Sequence, residues 1–595
     1  MKNILKRIRK LPPLLFALVT LAALAYSIYQ IADSPRWLVD DAYILFRYAE
    51  NLAVHGELNW NPGENPTEGY TGIALVWLLA VGIKAGISPV ILTHAIGILF
   101  YFLGAVILFL AFRGFNLAST VGLALYLTAP FYYIHAWSGL ETTMFTTAII
   151  FAIYCLTARR ERLFIFSILF LSLVRPEGIL LAVLLLPLFR PFRRRRILWY
   201  LIPFGVYFIW RWSYYGRFLP NTFYAKVAAE TEEDTLGFLA KFASSYLRLP
   251  GLLALIYVSW ESVRKHRLLV AAATFFTAAC LITYLSSHLV MNYQYRFFVA
   301  FYALAILALG LILLRAERNA RTVLLALVLI VPQLMINTDR SVISYSRLYA
   351  SGHQQLLEDE HIPLGNYLRE HVPPNEWLVV HKDAGSIPYH SKLKTVDFGR
   401  LNDEFLATGN PDREAVIDYF FERNPGAAVF TSTSYEMLEH GEEADAIKRS
   451  RGFNLNYTLV ARYSCRRRKR YYEFLFLRRD LAAVLPPPSG FATGPQRGNK
   501  SYNSAPGTGE IVRLDSADRI WRFAEDADDP DLRISALKRL IRDYPDDHRV
   551  PEAMWETIVA REEPAARLEG LLDLVERFPD SDLAPKALFT IGFIN

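Results

Sequence analysis

The chain has 595 residues, 53% of them hydrophobic, and a formal net charge of +7. Its first 338 residues are dominated by uncharged apolar runs such as 14–31 and 323–337. These approach the roughly 20 residues needed to cross a bilayer, which excludes an ordinary soluble protein over this half. Much of the basic excess flanks apolar runs, so the positive-inside bias accounts for it without a nucleic-acid partner. Cys155, Cys280 and Cys465 are too scattered for a disulfide framework or a thiolate metal cluster.

Lys2, Lys6, Arg7, Arg9 and Lys10 precede the first apolar run and no small-residue cleavage site follows. Segment 12–32 therefore reads as an uncleaved first span. Keeping the basic clusters at 113, 159–162, 190–196, 264–267 and 315–321 cytoplasmic sets the orientation. Parity then makes 90–112 a span and 70–86 a helix at the outer membrane face. It also divides 163–189 into two short helices around Arg175-Pro176-Glu177-Gly178, since a proline and two charges in mid-bilayer are costly. With 117–135, 139–157, 197–212, 250–263, 268–287, 297–314 and 322–338, the expectation is a polytopic α-helical membrane protein of about eleven spans, N-terminus inside. Residues 33–69, 135–141, 175–178, 213–249, 288–296 and everything after 338 then lie outside, where the unusual polar residues concentrate.

The first outer loop contains Asp40-Asp41-Ala42-Tyr43-Ile44-Leu45-Phe46-Arg47-Tyr48-Ala49-Glu50-Asn51. At helical spacing Asp40, Tyr43, Arg47 and Asn51 share one face, and Ile44, Leu45, Tyr48 and Leu52 share the other. This predicts an amphipathic helix against the membrane. The acidic pair stands at the N-terminal end, where the helix dipole favours ionised carboxylates. A carboxylate there suits a general base that deprotonates an acceptor hydroxyl, although an N-cap acid on an ordinary interfacial helix fits the same pattern. Arg175 and Glu177, beside a helix break, are functional candidates because charge near a membrane is costly unless paired or wet; simple helix capping is the alternative. Arg296, following His288 and Tyr295, fits either snorkelling to headgroups or a two-pronged grip on phosphate oxygens. Arg211 and Lys226 are weaker candidates of that kind.

The loop continues through Asn61-Pro62-Gly63-Glu64 and Glu68-Gly69-Tyr70-Thr71. Together with the acidic pair and aromatic-rich helix, these residues resemble GT-C-type glycosyltransferases, in particular the mycobacterial terminal arabinofuranosyltransferase and its bacterial relatives. Ser138-Gly139-Leu140-Glu141, Arg175-Pro176-Glu177-Gly178 and the segment from Tyr215 to Lys226 continue the likeness in the same order over about residues 35–300. The resemblance implies a polyprenyl-phosphate-sugar donor, Asp40 as catalytic base, and Asp41 orienting substrate or a cation. It raises Arg47, Glu68, Glu141, Arg175, Glu177, Asn221, Tyr224, Lys226, His288 and Arg296 as donor-phosphate or substrate contacts. No cofactor is certain; a divalent cation held by Asp40, Asp41 and Glu68 is one expectation, an ordinary solvated acidic loop the other.

Residues 339–481 alternate helical and strand-like patterns, with a helix over 364–371 and buried strands at 377–381, 427–430 and 474–477. This predicts an extracytoplasmic α/β domain. In it Asp383 and Asp397 are candidate glycan contacts, with strand-end turns the commoner reading. The run 466–470 reads as a solvated basic hairpin. Residues 482–512, rich in Pro, Gly, Ser and Asn, read as a linker. Beyond it Asp543-Tyr544-Pro545-Asp546 recurs as Arg577-Phe578-Pro579-Asp580, an offset of 34 residues, the period of tetratricopeptide repeats. Two repeats usually need a third, so 513–595 is expected to pack on its own chain or on an envelope protein.

The function expected is transfer of a sugar, on the resemblance a pentofuranose, from a polyprenyl-phosphate donor to a glycan, lipid or protein acceptor outside a bacterial inner membrane. A transporter or flippase for lipid-linked sugars and a scaffold recruiting envelope enzymes are the competing classes. No Gly-rich phosphate loop points to a nucleotide sugar, and no internal symmetry of the transporter kind appears across 1–338.

Overall fold

The computed structural model describes residues 13–189, 194–228, 235–245, 264, 267–286, 292–316, 320–409, 411–433, 442–465, 471–488, 517, 520–521, 524, 530–545, 547–560, 564–579, 581, 583–584 and 587. His288, the expected span 250–263, the basic run 466–470 and most of the expected linker lie outside these. Four described helices are long and apolar enough to cross a membrane: Pro13–Asp33, Pro89–Ala111, Arg267–Leu285 and Tyr293–Leu314. Pro89–Ala111 shows how such a helix divides its surface. It exposes Ile91, Leu99, Val106 and Leu110 but buries Thr93, Gly97, Tyr101, Gly104 and Leu108. Small residues on the inner face let neighbouring backbones approach closely.

The expected span 117–135 is a bent pair, Leu117–Thr128 and Pro130–Ala136, meeting at 63°. Ala129 is extended with ψ 110, as the residue before proline prefers, and Pro130 starts the new helix with no amide to lose. The break at the Arg-Pro-Glu-Gly sequence is present. Helix Glu161–Val174 stops, Arg175 is extended (φ −151, ψ 149), and helix Pro176–Leu185 begins. The outer-loop helix occupies Asp40–His55, and Ile73–Lys84 is a short apolar helix of 12 residues.

One sequence expectation changes here. Helix Asp40–His55 does not lay one face on lipid, because Tyr43, Ile44, Leu45, Phe46, Arg47 and Tyr48 are all buried. The apolar helices cover one side and the sheet-bearing part of the chain covers the other.

That part begins with helix Arg340–Leu356, which runs through a π-helical segment, Leu357–His361, into helix Ile362–His371. Its five strands are β1 (Trp377–His381), β2 (Lys394–Asp397), β3 (Ala427–Ser432), β4 (Tyr457–Ser464) and β5 (Tyr472–Arg478). They form one sheet in the order β2-β1-β3-β5-β4. β1 is parallel to β2 and β3, whereas β5 is antiparallel to β3 and β4. Each face carries its own core: Leu364, Leu368, Leu378, Val380 and Ile387 on one, Val379, Val396, Phe420, Phe430 and Phe453 on the other. The alternation of Leu378, Val379 and Val380 between faces follows from the strand period of two.

The outer loop fastens to the edge of this sheet. Asn61 donates to the Thr395 carbonyl (3.0 Å) and accepts from the Thr395 amide (2.9 Å), so one side chain occupies an edge residue of β2. This satisfies backbone groups that an edge strand otherwise leaves open.

Residues 1–493 form one compact unit and 494–595 another. In the second, helices Pro530–Asp543, Val550–Val559 and Pro564–Arg577 follow in sequence, the first and third of equal length and separated by the same offset as the sequence repeat. Leu537, Leu540 and Ala553 pack in one buried cluster, Val550, Leu571 and Leu574 in the next.

Candidate active site between the apolar helices and the mixed sheet

The two carboxylates that open helix Asp40–His55 have different surroundings, as the roughly 100° between adjacent helical residues requires. Asp40 turns to the sheet-bearing part. Its Oδ2 accepts from the Gly385 amide (2.7 Å), and its Oδ1 from the Ser386 amide (2.8 Å) and His361 Nδ1 (3.1 Å). Asp41 turns to the apolar helices and faces Arg296, with Oδ2 3.4 Å from Nη2. Both side chains are partly accessible, at 15%.

Arg296 is aimed by its backbone. The preceding Gln294 and Tyr295 have φ 46 and 60, a left-handed pair uncommon outside glycine and often found at functional sites. Gln294 is held by His135 Nε2 on its carbonyl (3.2 Å) and by Ser346 Oγ on its side chain (3.0 Å). The Arg296 guanidinium lies over Phe297 (4.7 Å), and its Nε is buried with no hydrogen-bond partner among the described residues.

Arg175 lies over the same Phe297 ring at 5.1 Å, so the two arginines flank one aromatic ring. It donates to Glu141 Oε1 (2.7 Å) and, in a two-pronged contact, to Glu177 Oε2 (3.2 Å) and Oε1 (2.8 Å). Tyr284 donates to Glu177 as well (3.1 Å). Glu141 arrives because Gly139, at φ 81, turns the chain tightly against helix Asp40–His55. A Cβ there would stand 2.6 Å from Leu38 and 2.7 Å from Ala42. Asp41, Glu141, Arg175, Glu177 and Arg296, five of the candidates named from sequence, are thus linked through direct pairs and a shared ring.

Arg47, Glu68 and Asn221 have partners elsewhere. Arg47, expected to touch substrate, is buried and makes four hydrogen bonds: to the Trp60, Pro388 and Leu393 carbonyls and to Asn61 Oδ1. It straps the outer loop to the sheet-bearing part. Glu68 is paired on both oxygens with Arg211 and buried with it, so it does not stand with Asp40 and Asp41 as a third cation ligand. Asn221 donates to the Arg400, Leu401 and Asp403 carbonyls, a second strap. Tyr224 packs against Phe223 in helix Asn221–Ala228, which also contains Lys226. Asp397 is buried in its own turn, accepting from the Gly399 amide and from Asn402, and burial pushes its carboxyl up to about 7. These contacts give it a role in that turn.

Sequence reasoning missed His361, Glu360 and Glu473. His361 opposes Asp40 and lies between Asp383 and Glu473, each 3.9 Å from Nε2. Burial resists charging the imidazole, but Asp383, Asp40 and Glu360 outweigh it and push its pKa up to about 9. The one available signal was the dense acidic stretch Glu358-Asp359-Glu360-His361 in an otherwise helical pattern.

The junction also predicts a substitution. Gly385 caps helix Ser386–Ser391 directly against Asp40, and a Cβ there would overlap the Asp40 backbone. Gly385→Ala is expected to loosen the sheet from helix Asp40–His55, seen as faster amide exchange in 40–55 and 386–391 and a lowered thermal midpoint. A variant as protected as the wild type would show that the close approach is not needed.

The family described as Domain of unknown function (DUF8728) matches residues 347–476, less than half of the chain. No curated protein matches it. Among solved structures, ArnT from Cupriavidus metallidurans in the apo state is similar at TM-score 0.45 and 16% identity, covering 78% of this chain and 97% of that one. The same protein bound to undecaprenyl phosphate gives TM-score 0.47 and 15% identity at the same coverage. Likenesses this weak carry no argument about what the chain binds or does.

Proposed function

We propose that the protein is a membrane glycosyltransferase that moves a sugar from a polyprenyl-phosphate donor to an acceptor hydroxyl. The supporting observation is the pairing of Asp41 with Arg296 beside the Glu141-Arg175-Glu177 group, at the ends of apolar helices. An arginine whose Nε has no hydrogen-bond partner among the described residues, and whose carboxylate partner stands at 3.4 Å, can offer a two-pronged contact to phosphate oxygens. With Arg296 on the phosphate, Asp41 takes the proton of the attacking hydroxyl. The acceptor oxygen then bonds to the anomeric carbon as the carbon–oxygen bond to phosphate breaks, and polyprenyl phosphate leaves with the electron pair. The charge-separated transition state has oxocarbenium character, as in glycoside hydrolysis. Arg175, fully engaged by two carboxylates, holds the ring under Arg296 in place.

In this reading Asp40, with both oxygens occupied, anchors the helix and Asp41 is the base. The pentofuranose, the bacterial inner membrane, the outward-facing site, the eleven spans and the protein-binding repeat tail are parts of the same reading that rest on motif resemblance, charge bias and the 34-residue offset.

The test is purified protein in detergent with a panel of undecaprenyl-phosphate sugars and mixed acceptors, following release of undecaprenyl phosphate. Turnover of one donor supports the transferase and names the sugar. Donor binding without turnover, with movement of donor across vesicles, would instead support a flippase.

A further inference from the structure

We propose that His361, Asp383 and Glu473 hold a divalent first-row ion, Zn²⁺ or Mn²⁺, and that Asp40 orients the histidine from its other ring nitrogen. The site is separate from the Asp41–Arg296 pair and does not depend on the transferase reading.

The imidazole of His361 is fully buried, and its Nε2 has no hydrogen-bond partner among the described residues. Asp40 accepts at Nδ1, itself fixed by the Gly385 and Ser386 amides. In the neutral ring this places the hydrogen on Nδ1 and turns the Nε2 lone pair towards Asp383 and Glu473. An ion that displaces the proton from Nε2 meets a lone pair aimed at both carboxylates. Both oxygens stand 3.9 Å from Nε2, too far for a hydrogen bond. An ion about 2.0–2.2 Å from each ligand spans such a gap with small side-chain shifts.

Glu473 is also fully buried, and its Oε2 has no hydrogen-bond partner among the described residues. Tyr471 donates to Asp383 and orients it, while Thr431 Oγ1, which donates to the His381 carbonyl (2.7 Å), lies 3.2 Å from both Asp383 Oδ2 and Glu473 Oε1. Glu360, buried beside them, adds further negative charge. A divalent ion offsets the charge these carboxylates carry when ionised, displacing protons that the cluster otherwise holds. A carboxylate bonded to the far nitrogen of a metal-bound histidine is the usual means of fixing its orientation. One imidazole nitrogen with carboxylate oxygens suits Zn²⁺ or Mn²⁺ better than the all-oxygen preference of Ca²⁺ or Mg²⁺.

Two features of the fold place the cluster where ligands bind. His361 ends a π-helical segment, a distortion frequent at functional sites. Asp383 and Thr431 follow or end β1 and β3, at the carboxyl ends of the parallel strands. Connections from β1 and β3 leave there in opposite directions across the order β2-β1-β3.

The full-length protein, purified in detergent, is stripped with EDTA and titrated calorimetrically with ZnCl₂ and with MnCl₂. Saturable binding of about one equivalent of either ion is expected, at the single site these ligands form. Asp383→Asn and His361→Ala should abolish it, and Asp40→Asn should weaken it by about 10–100-fold while leaving the stoichiometry. No binding of either ion by the wild type overturns the proposal and leaves a proton-sharing buried network. Unchanged affinity in Asp383→Asn overturns it by placing the ion elsewhere, and binding of Ca²⁺ or Mg²⁺ alone overturns the assigned class. Should His361→Ala fail to fold, zinc-edge X-ray absorption on the loaded wild type decides: imidazole scattering from one histidine supports the site, and its absence overturns it.

Discussion

Asp41→Asn is expected to lower sugar transfer by about 100- to 10,000-fold, the range that a positioned general base contributes. The amide keeps the shape of the side chain and a contact to Arg296, so donor binding and thermal midpoint should change little. Release of undecaprenyl phosphate under single-turnover conditions isolates the chemical step. Asp40→Asn is the informative companion. Asp40 is committed to two backbone amides and His361, so its loss should act through a loosened sheet, with a lowered thermal midpoint and a smaller drop in rate. The opposite pattern, a stable Asp40→Asn without turnover beside an active Asp41→Asn, would return the base to Asp40.

Arg175→Ala carries the largest expected effect on stability. Side-chain exposure is 7% for Arg175 and 9% for Glu141, with Glu177 at 19%, so removing the guanidinium strands two carboxylates in a low-dielectric site. Breaking a buried pair from one side typically costs about 3–5 kcal/mol, far more than the pair contributes net. Arg175→Ala combined with Glu141→Gln and Glu177→Gln should recover part of that loss, because the stranded charges go as well. Denaturation in detergent micelles measures both. A single variant as stable as the wild type would mean that water reaches the carboxylates.

Several local features were legible in the sequence because they depend on short-range chemistry. The proline and flanking charges of Arg175-Pro176-Glu177 mark a helix break whatever packs around it, and helix Asp40–His55 is written in its apolar periodicity. The apolar runs that became β1, β3 and β5 were visible because central strands are buried on both faces. β2 and β4 were not, since β2 has four residues and β4, at the edge, is only intermittently buried. The bend at Pro130 was missed because apolar composition continues across it.

Pairings between distant residues belong to the tertiary structure. Nothing in residues near Asp40 indicates a histidine 321 positions away, and nothing near Arg175 indicates Glu141 rather than membrane headgroups as its partner. Periodicity reports which face of an element is apolar, not what covers the opposite one. Arg47, Glu68 and Asn221 therefore read from sequence as ligand contacts, until folding brought carbonyls and a counter-ion to them at lower cost than leaving buried polar groups unsatisfied. What the sequence alone determined was the kind of chain, its breaks and an acidic pair at a helix start. Which acid faces an arginine and which a histidine was decided only when the sheet closed over that helix, because adjacent helical residues diverge and only packing assigns each direction a partner.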